Sequence, residues 1–124
     1  MGRYAFFNTE LEYKFAFGVQ PSEDIQEFGG TDTSDYKNDG PRHKWTEEDR
    51  EEILYEIKHL EDFYGFAPFD FSKYKKDLDG TYDLRRDFEK THEYFEAQHY
   101  KYMLGLMIYH QLEYMAPLTV TYEL

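Results

Sequence analysis

The 124-residue chain has no cysteine, only four prolines, and far fewer basic than acidic side chains. The missing thiols exclude disulfides and thiolate metal sites, and they fit a reducing compartment. Fourteen Lys and Arg against 26 Asp and Glu give a formal net charge of −12. Binding nucleic-acid phosphates needs cations that displace counterions, so direct contact with DNA or RNA is not expected. Long hydrophobic runs are missing too. The most apolar stretch, Tyr102–Tyr109, falls far short of the ~20 residues that span a bilayer. Met1–Asn8 lacks the apolar centre of a secretory signal. The expectation is a soluble protein with no membrane partner.

Aromatic residues are abundant by contrast: 13 Tyr, 11 Phe and one Trp. Disordered chains are poor in such residues, so most of the sequence is expected to be ordered. The length suits one domain over residues 1–124. Tyrosine joins an apolar ring to a hydroxyl and is enriched at interfaces, which points to self-association, most simply as a homodimer. The acidic field suits a basic protein partner, and it also keeps an aromatic-rich chain in solution.

Leu11, Tyr13, Phe15, Phe17 and Val19 alternate with Glu12, Lys14, Ala16 and Gly18, the period of a half-buried strand. Arg3–Phe7 is a shorter aromatic run, and Asn8-Thr9-Glu10 can turn between them, giving an antiparallel hairpin. From about residue 20 to 45 no period holds. Pro21, Gly29-Gly30 and Gly40-Pro41 interrupt a stretch of Asp, Ser, Thr and Asn, so a long acidic irregular segment is expected, with Ile25 and Phe28 as anchors.

Thr46 followed by Glu47, Glu48 and Asp49 marks a helix start, and Gly65 marks its stop. Ile53, Ile57, Leu60 and Tyr64 share the expected inner face. Phe66–Gly80 reads as a connector pinned by Phe66, Phe69, Phe71 and Tyr74, with a turn at Asp77–Gly80. A second, long helix is expected from about Tyr82 to Met115, apolar on every side beyond Tyr102. Gly105 allows a close helix approach or a local bend, and Pro117 precedes a strand in which Leu118, Val120 and Tyr122 alternate with threonines. The fold class is therefore α+β: a small antiparallel sheet, made of the N-terminal hairpin and the C-terminal strand, packed against two helices.

The chemistry-bearing pattern is Glu-x-x-His, present as Glu89/His92 and Glu96/His99 on the long helix and as Glu56/His59 on the first. Carboxylate-bridged metal sites in helical bundles use this spacing, so His92, Glu96 and His99 are the candidate ligands. The histidines fall inside the apolar stripe while Glu89 and Glu96 fall at its edge, which favours hydrogen-bonded, half-buried histidines, His110 among them. A zinc-protease reading fails because Glu96 stands where the second histidine belongs. A calcium-loop reading around Asp77, Asp79 and Gly80 fails at Lys75 and Arg86. No phosphate-binding loop, nucleophile elbow or dinucleotide fingerprint is present, so neither a cofactor nor an enzymatic role is expected. The apolar half of the long helix, with Tyr102, Leu106, Tyr109 and His110, is the expected dimer interface.

The opening block, Gly2–Thr9, Glu12–Phe15 and Phe17–Asp24, resembles small uncharacterised proteins encoded by large eukaryotic DNA viruses. That resemblance implies a virion or host-interaction role, in the cytoplasm or nucleus of a host cell or in the particle. It implies no active site.

Overall fold

The computed structural model describes residues 4–7, 13–16, 22–35, 37, 40–91 and 97–122. The N-terminal hairpin is formed by β1 (Tyr4–Phe7) and β2 (Tyr13–Ala16), antiparallel with Phe7 opposite Tyr13. The turn expected between them, and Leu11, Phe17 and Val19, lie outside the described residues. A 3-10 helix, Ser22–Phe28, follows, then β3 (Thr31–Asp32) and β4 (Arg42–Trp45). The strand after Pro117 is β5 (Leu118–Tyr122). It lies between β1 and β4 in a five-stranded sheet of order β2-β1-β5-β4-β3, with antiparallel pairing throughout. The C-terminal strand beside the hairpin is as expected, and its Leu118, Val120 and Tyr122 are buried while the threonines are less so.

Two pieces of the segment expected to be irregular, β3 and β4, join the sheet. Four residues, Arg42-His43-Lys44-Trp45, alternate outward and inward, with His43 and Trp45 buried. Trp45 Nε1–H donates to the Phe28 carbonyl at 3.2 Å. His43 Nε2 lies 2.6 Å from the Gly29 carbonyl, which can only accept, so this nitrogen carries the proton. Gly29 and Gly30 have positive φ, and a Cβ on Gly30 would sit 2.7 Å from the Lys44 carbonyl oxygen and the Trp45 ring. Ile25 and Phe28 are fully buried, as expected of anchors.

Helix α1 (Arg50–Tyr64) is preceded by a single 3-10 turn at Glu47–Asp49. Asp49 Oδ2 accepts from the Thr46 N–H at 2.7 Å, filling the valence of one exposed amide at the helix start. The left-handed Gly65 closes the other end at φ 74°. Ile53, Ile57 and Leu60 are buried as expected, but Tyr64 is 45% exposed.

The expected long helix is two helices. α2 (Leu78–Thr91) and α3 (Ala97–Tyr114) pack side by side, so the described residues form three α-helices rather than two, with α3 against β5. In one straight helix Thr81 and His110 would be roughly 43 Å apart, yet their side chains meet at 2.7 Å. α2 starts four residues earlier than expected. Asp77, read as a turn residue, caps it, accepting from the Gly80 N–H at 2.8 Å. α3 is the central element, contacted by α1, α2, β5 and the 3-10 helix at Ser22–Phe28. A helix apolar on all sides belongs in that position. Gly105 permits the close approach anticipated for it, toward the Phe28 ring, where an added Cβ would come within 2.4 Å.

Candidate functional site

Of the proposed metal ligands, His92 and Glu96 lie outside the described residues. His99 is half-buried with its ring 5.4 Å from that of Phe66. Glu89 is ion-paired with Arg85 at 2.8 Å, Glu56 faces Lys101 at 3.8 Å, and His59 is exposed. Among the described residues no group of three or more His, Asp or Glu side chains is placed to hold a metal ion.

His110 is a structural histidine. It is buried, and its Nε2 lies 2.8 Å from the Lys75 carbonyl, which fixes the proton on that nitrogen. Nδ1 is then the acceptor and takes the Thr81 hydroxyl proton at 2.7 Å. One ring thus ties the connector, α2 and α3 together. Burial pushes its pKa below the ordinary 6.5, against the opposing pull of the Lys75 carbonyl and of Glu113 and Asp77.

The residues expected to form a dimer interface on α3 are in the chain's own interior. Tyr102, Leu106 and His110 are almost fully buried, so they present no surface to a second molecule. Tyr102 donates its hydroxyl to the buried Glu61 carboxylate at 2.6 Å, and Glu61 also accepts the Phe69 N–H at 3.0 Å. Burial first, and this bond second, push the Tyr102 pKa well up. Tyr109 is half-buried, 5.0 Å from the Phe71 ring and under the Arg50 guanidinium, which also pairs with Glu113 at 3.3 Å. Among the described residues many of the aromatic rings are held in such internal contacts.

Two features remain on the surface. The first is the outward face of α1. Tyr55 and Phe63 are 72% and 71% exposed, and His59 lies between them at helical spacing. The array continues from ring to ring, His59 to Phe63 at 6.1 Å, Phe63 to Tyr64 at 4.9 Å and Tyr64 to Phe66 at 5.8 Å. The buried Ile53, Ile57 and Leu60 occupy the opposite side of the same helix. Exposed aromatics scattered singly need no explanation, but here the rings of His59, Phe63, Tyr64 and Phe66 neighbour one another. The signal was present in the sequence as large aromatics on the polar face of an amphipathic helix.

The second feature is a cleft of about 420 Å³ between the connector and α2. Phe66, Phe69, Tyr74, Phe88 and Tyr102 line it, and Asp70 and Asp87 stand among its polar groups. Tyr74 donates its hydroxyl to Asp87 Oδ2 at 3.0 Å. Desolvation, then Asp87 and the neighbouring Asp83 and Asp70, push the Tyr74 pKa up to about 12. Phe66 borders both features, so the aromatic row on α1 runs into the cleft.

No helix among the described residues is long and apolar enough to cross a membrane. No protein-family model, curated protein or solved structure matches the chain.

Proposed function

We propose that this chain is a non-enzymatic interaction protein whose first partner is a second copy of itself, joined through the outer face of α1. The exposure of Tyr55 and Phe63 carries this reading. A two-fold dimer needs a patch complementary to itself. The row of rings meets that requirement, and its flank carries Lys58 and Asp62, opposite charges one turn apart. Antiparallel crossing of two α1 helices sets the Lys58 end of one copy beside the Asp62 end of the other. Burying a Tyr or Phe side chain contributes ~1.5–3 kcal/mol, so a few rings per copy can offset a substantial part of the cost of association. Adjoining surface must supply the remainder of the ~800 Å² per partner typical of a stable interface. The resemblance of the opening block to proteins of large DNA viruses supports a setting in a virion or an infected cell.

The double substitution Tyr55→Ser and Phe63→Ser tests the reading by sedimentation velocity over a range of concentrations. The native chain is expected to sediment as a dimer and the variant as a monomer. Exposed positions tolerate substitution within about 0.5 kcal/mol, so the thermal transition of the variant should be that of the isolated subunit. A native chain that stays monomeric at every concentration would overturn the proposal.

A further inference from the structure

The cleft between the connector and α2 has the chemistry of a cation site. Five aromatic side chains line it, and the face of an aromatic ring attracts a positive charge within about 6 Å. Phe69 and Tyr74 are nearly parallel, with planes 9° apart and centroids 5.7 Å apart, and Phe66, Tyr102 and Phe88 form a second tilted set behind them. Two carboxylates accompany the rings. Ser72 binds Asp70 through its backbone N–H and its hydroxyl, both to Oδ1, and holds the carboxyl below its ordinary pKa. The Tyr74 hydroxyl occupies Asp87 Oδ2. Among the described residues these bonds engage one oxygen of each carboxylate. Among the described residues Lys73 is the sole basic side chain lining the cleft, against two acids, and the whole chain adds a field of the same negative sign.

We infer that this cleft receives an arginine side chain presented by a basic protein partner. Three properties favour guanidinium over ammonium. It is planar and stacks on ring faces, its fork of donors matches a carboxylate, and it is more weakly hydrated, so entry into a half-enclosed apolar cleft costs less. The volume, about 420 Å³, lies within the range of small-ligand sites and accommodates one long side chain. This site adjoins the α1 row at Phe66, but its carboxylates and the Phe69–Tyr74 pair are outside that row. Its occupancy does not depend on whether the chain is monomeric or dimeric, so either proposal can fail without the other.

The experiment is an NMR titration of the full chain with three capped tripeptides, Gly-Arg-Gly, Gly-Lys-Gly and Gly-citrulline-Gly. Amide shifts at residues 66–74 and at Thr91 provide the readout. The arginine peptide is expected to saturate these shifts at millimolar concentration. Citrulline, which keeps the shape and loses the charge, should bind about tenfold more weakly, and lysine should fall between them. The double variant Asp70→Asn and Asp87→Asn, at two exposed positions, should lose about tenfold in arginine affinity while retaining native dispersion elsewhere. Equal binding of citrulline would show an apolar cleft with no cation preference and overturn the proposal. So would equal binding of lysine, or shifts absent from these residues.

Discussion

Replacing Gly80 with alanine is expected to destabilise the protein by about 3 kcal/mol, lowering the thermal midpoint by roughly 10–15 °C. Alanine is ordinarily the better helix residue by about 1 kcal/mol, and Gly80 is inside α2 with no positive φ. The expectation is reversed by what lies beside it. A Cβ at position 80 would be 1.8 Å from the Lys75 carbonyl oxygen and 3.0 Å from His110 Cε1. The obstructing atom is backbone, so either the connector or the start of α2 must move. The Lys75 carbonyl is also the acceptor for His110, so the same displacement breaks that bond. Gly65→Ala is the informative comparison. Gly65 has φ 74° but nothing within 4 Å of an added Cβ, so it should cost only the ~1 kcal/mol of left-handed strain. Thermal melts of the two variants check the order; a Gly80→Ala protein as stable as Gly65→Ala would mean that the connector is not held against α2.

His110→Ala is expected to cost about 3 kcal/mol relative to the native chain, by removing the closest partner of the buried Thr81 hydroxyl and the donor to the part-buried Lys75 carbonyl, and by opening a void. The native histidine also predicts a pH dependence. Its folded pKa is below the unfolded 6.5, so the unfolded chain binds more protons once pH falls beneath that value. Stability is retained above about pH 6.5 and declines as the solution is acidified toward the lower folded value. Protonation would place a hydrogen on Nδ1, where Thr81 now donates. Glutamine at position 110 keeps a donor and an acceptor and cannot titrate. Urea midpoints at pH 7.5 and 5.5 are therefore expected to differ less in His110→Gln than in the native chain; an equal or larger difference in the variant would remove His110 as a cause.

What could be read from the sequence followed from strong local signals. The hairpin strands, α1 with its glycine stop, and β5 each carry a clear period or a terminator, and each is where it was expected. The separation of α2 from α3 has no glycine or proline between Thr91 and Ala97 to announce it. Only the pairing of Thr81 with His110 and of Phe88 with Tyr102 reveals the fold-back, and such contacts are tertiary. β4 was hidden for a different reason. Three of its four residues are basic, and its buried histidine offers no hydrophobic alternation.

The burial of the α3 residues was unforeseen for a related reason. An all-round apolar α3 has two explanations, a second subunit or a central position in one fold. The sequence could not separate them because the α2–α3 fold-back was not visible. Once α2 folds against α3, Tyr102, Leu106 and His110 are internal, and the unpaired aromatic surface is on α1. Tyr55 and Phe63 were available to inspection as large rings at polar-face positions, and a search for apolar residues on the wrong side of the helix would have found them. The cleft, by contrast, joins residues 66–74 to residues 87–91 and 102, a juxtaposition that no local pattern encodes.

The absence of native cysteine makes the proposed meeting of α1 with α1 directly measurable. His59 lies midway along the row between Tyr55 and Phe63, so in a two-fold contact centred on the row it faces its own copy. The single variant His59→Cys, exposed to mild oxidant at dilute concentration, is expected to form a disulfide-linked dimer within minutes. A Lys90→Cys control, on the exposed side of α2, should remain monomeric. A His59→Cys protein that stays monomeric, or cross-links no faster than the control, would contradict the account.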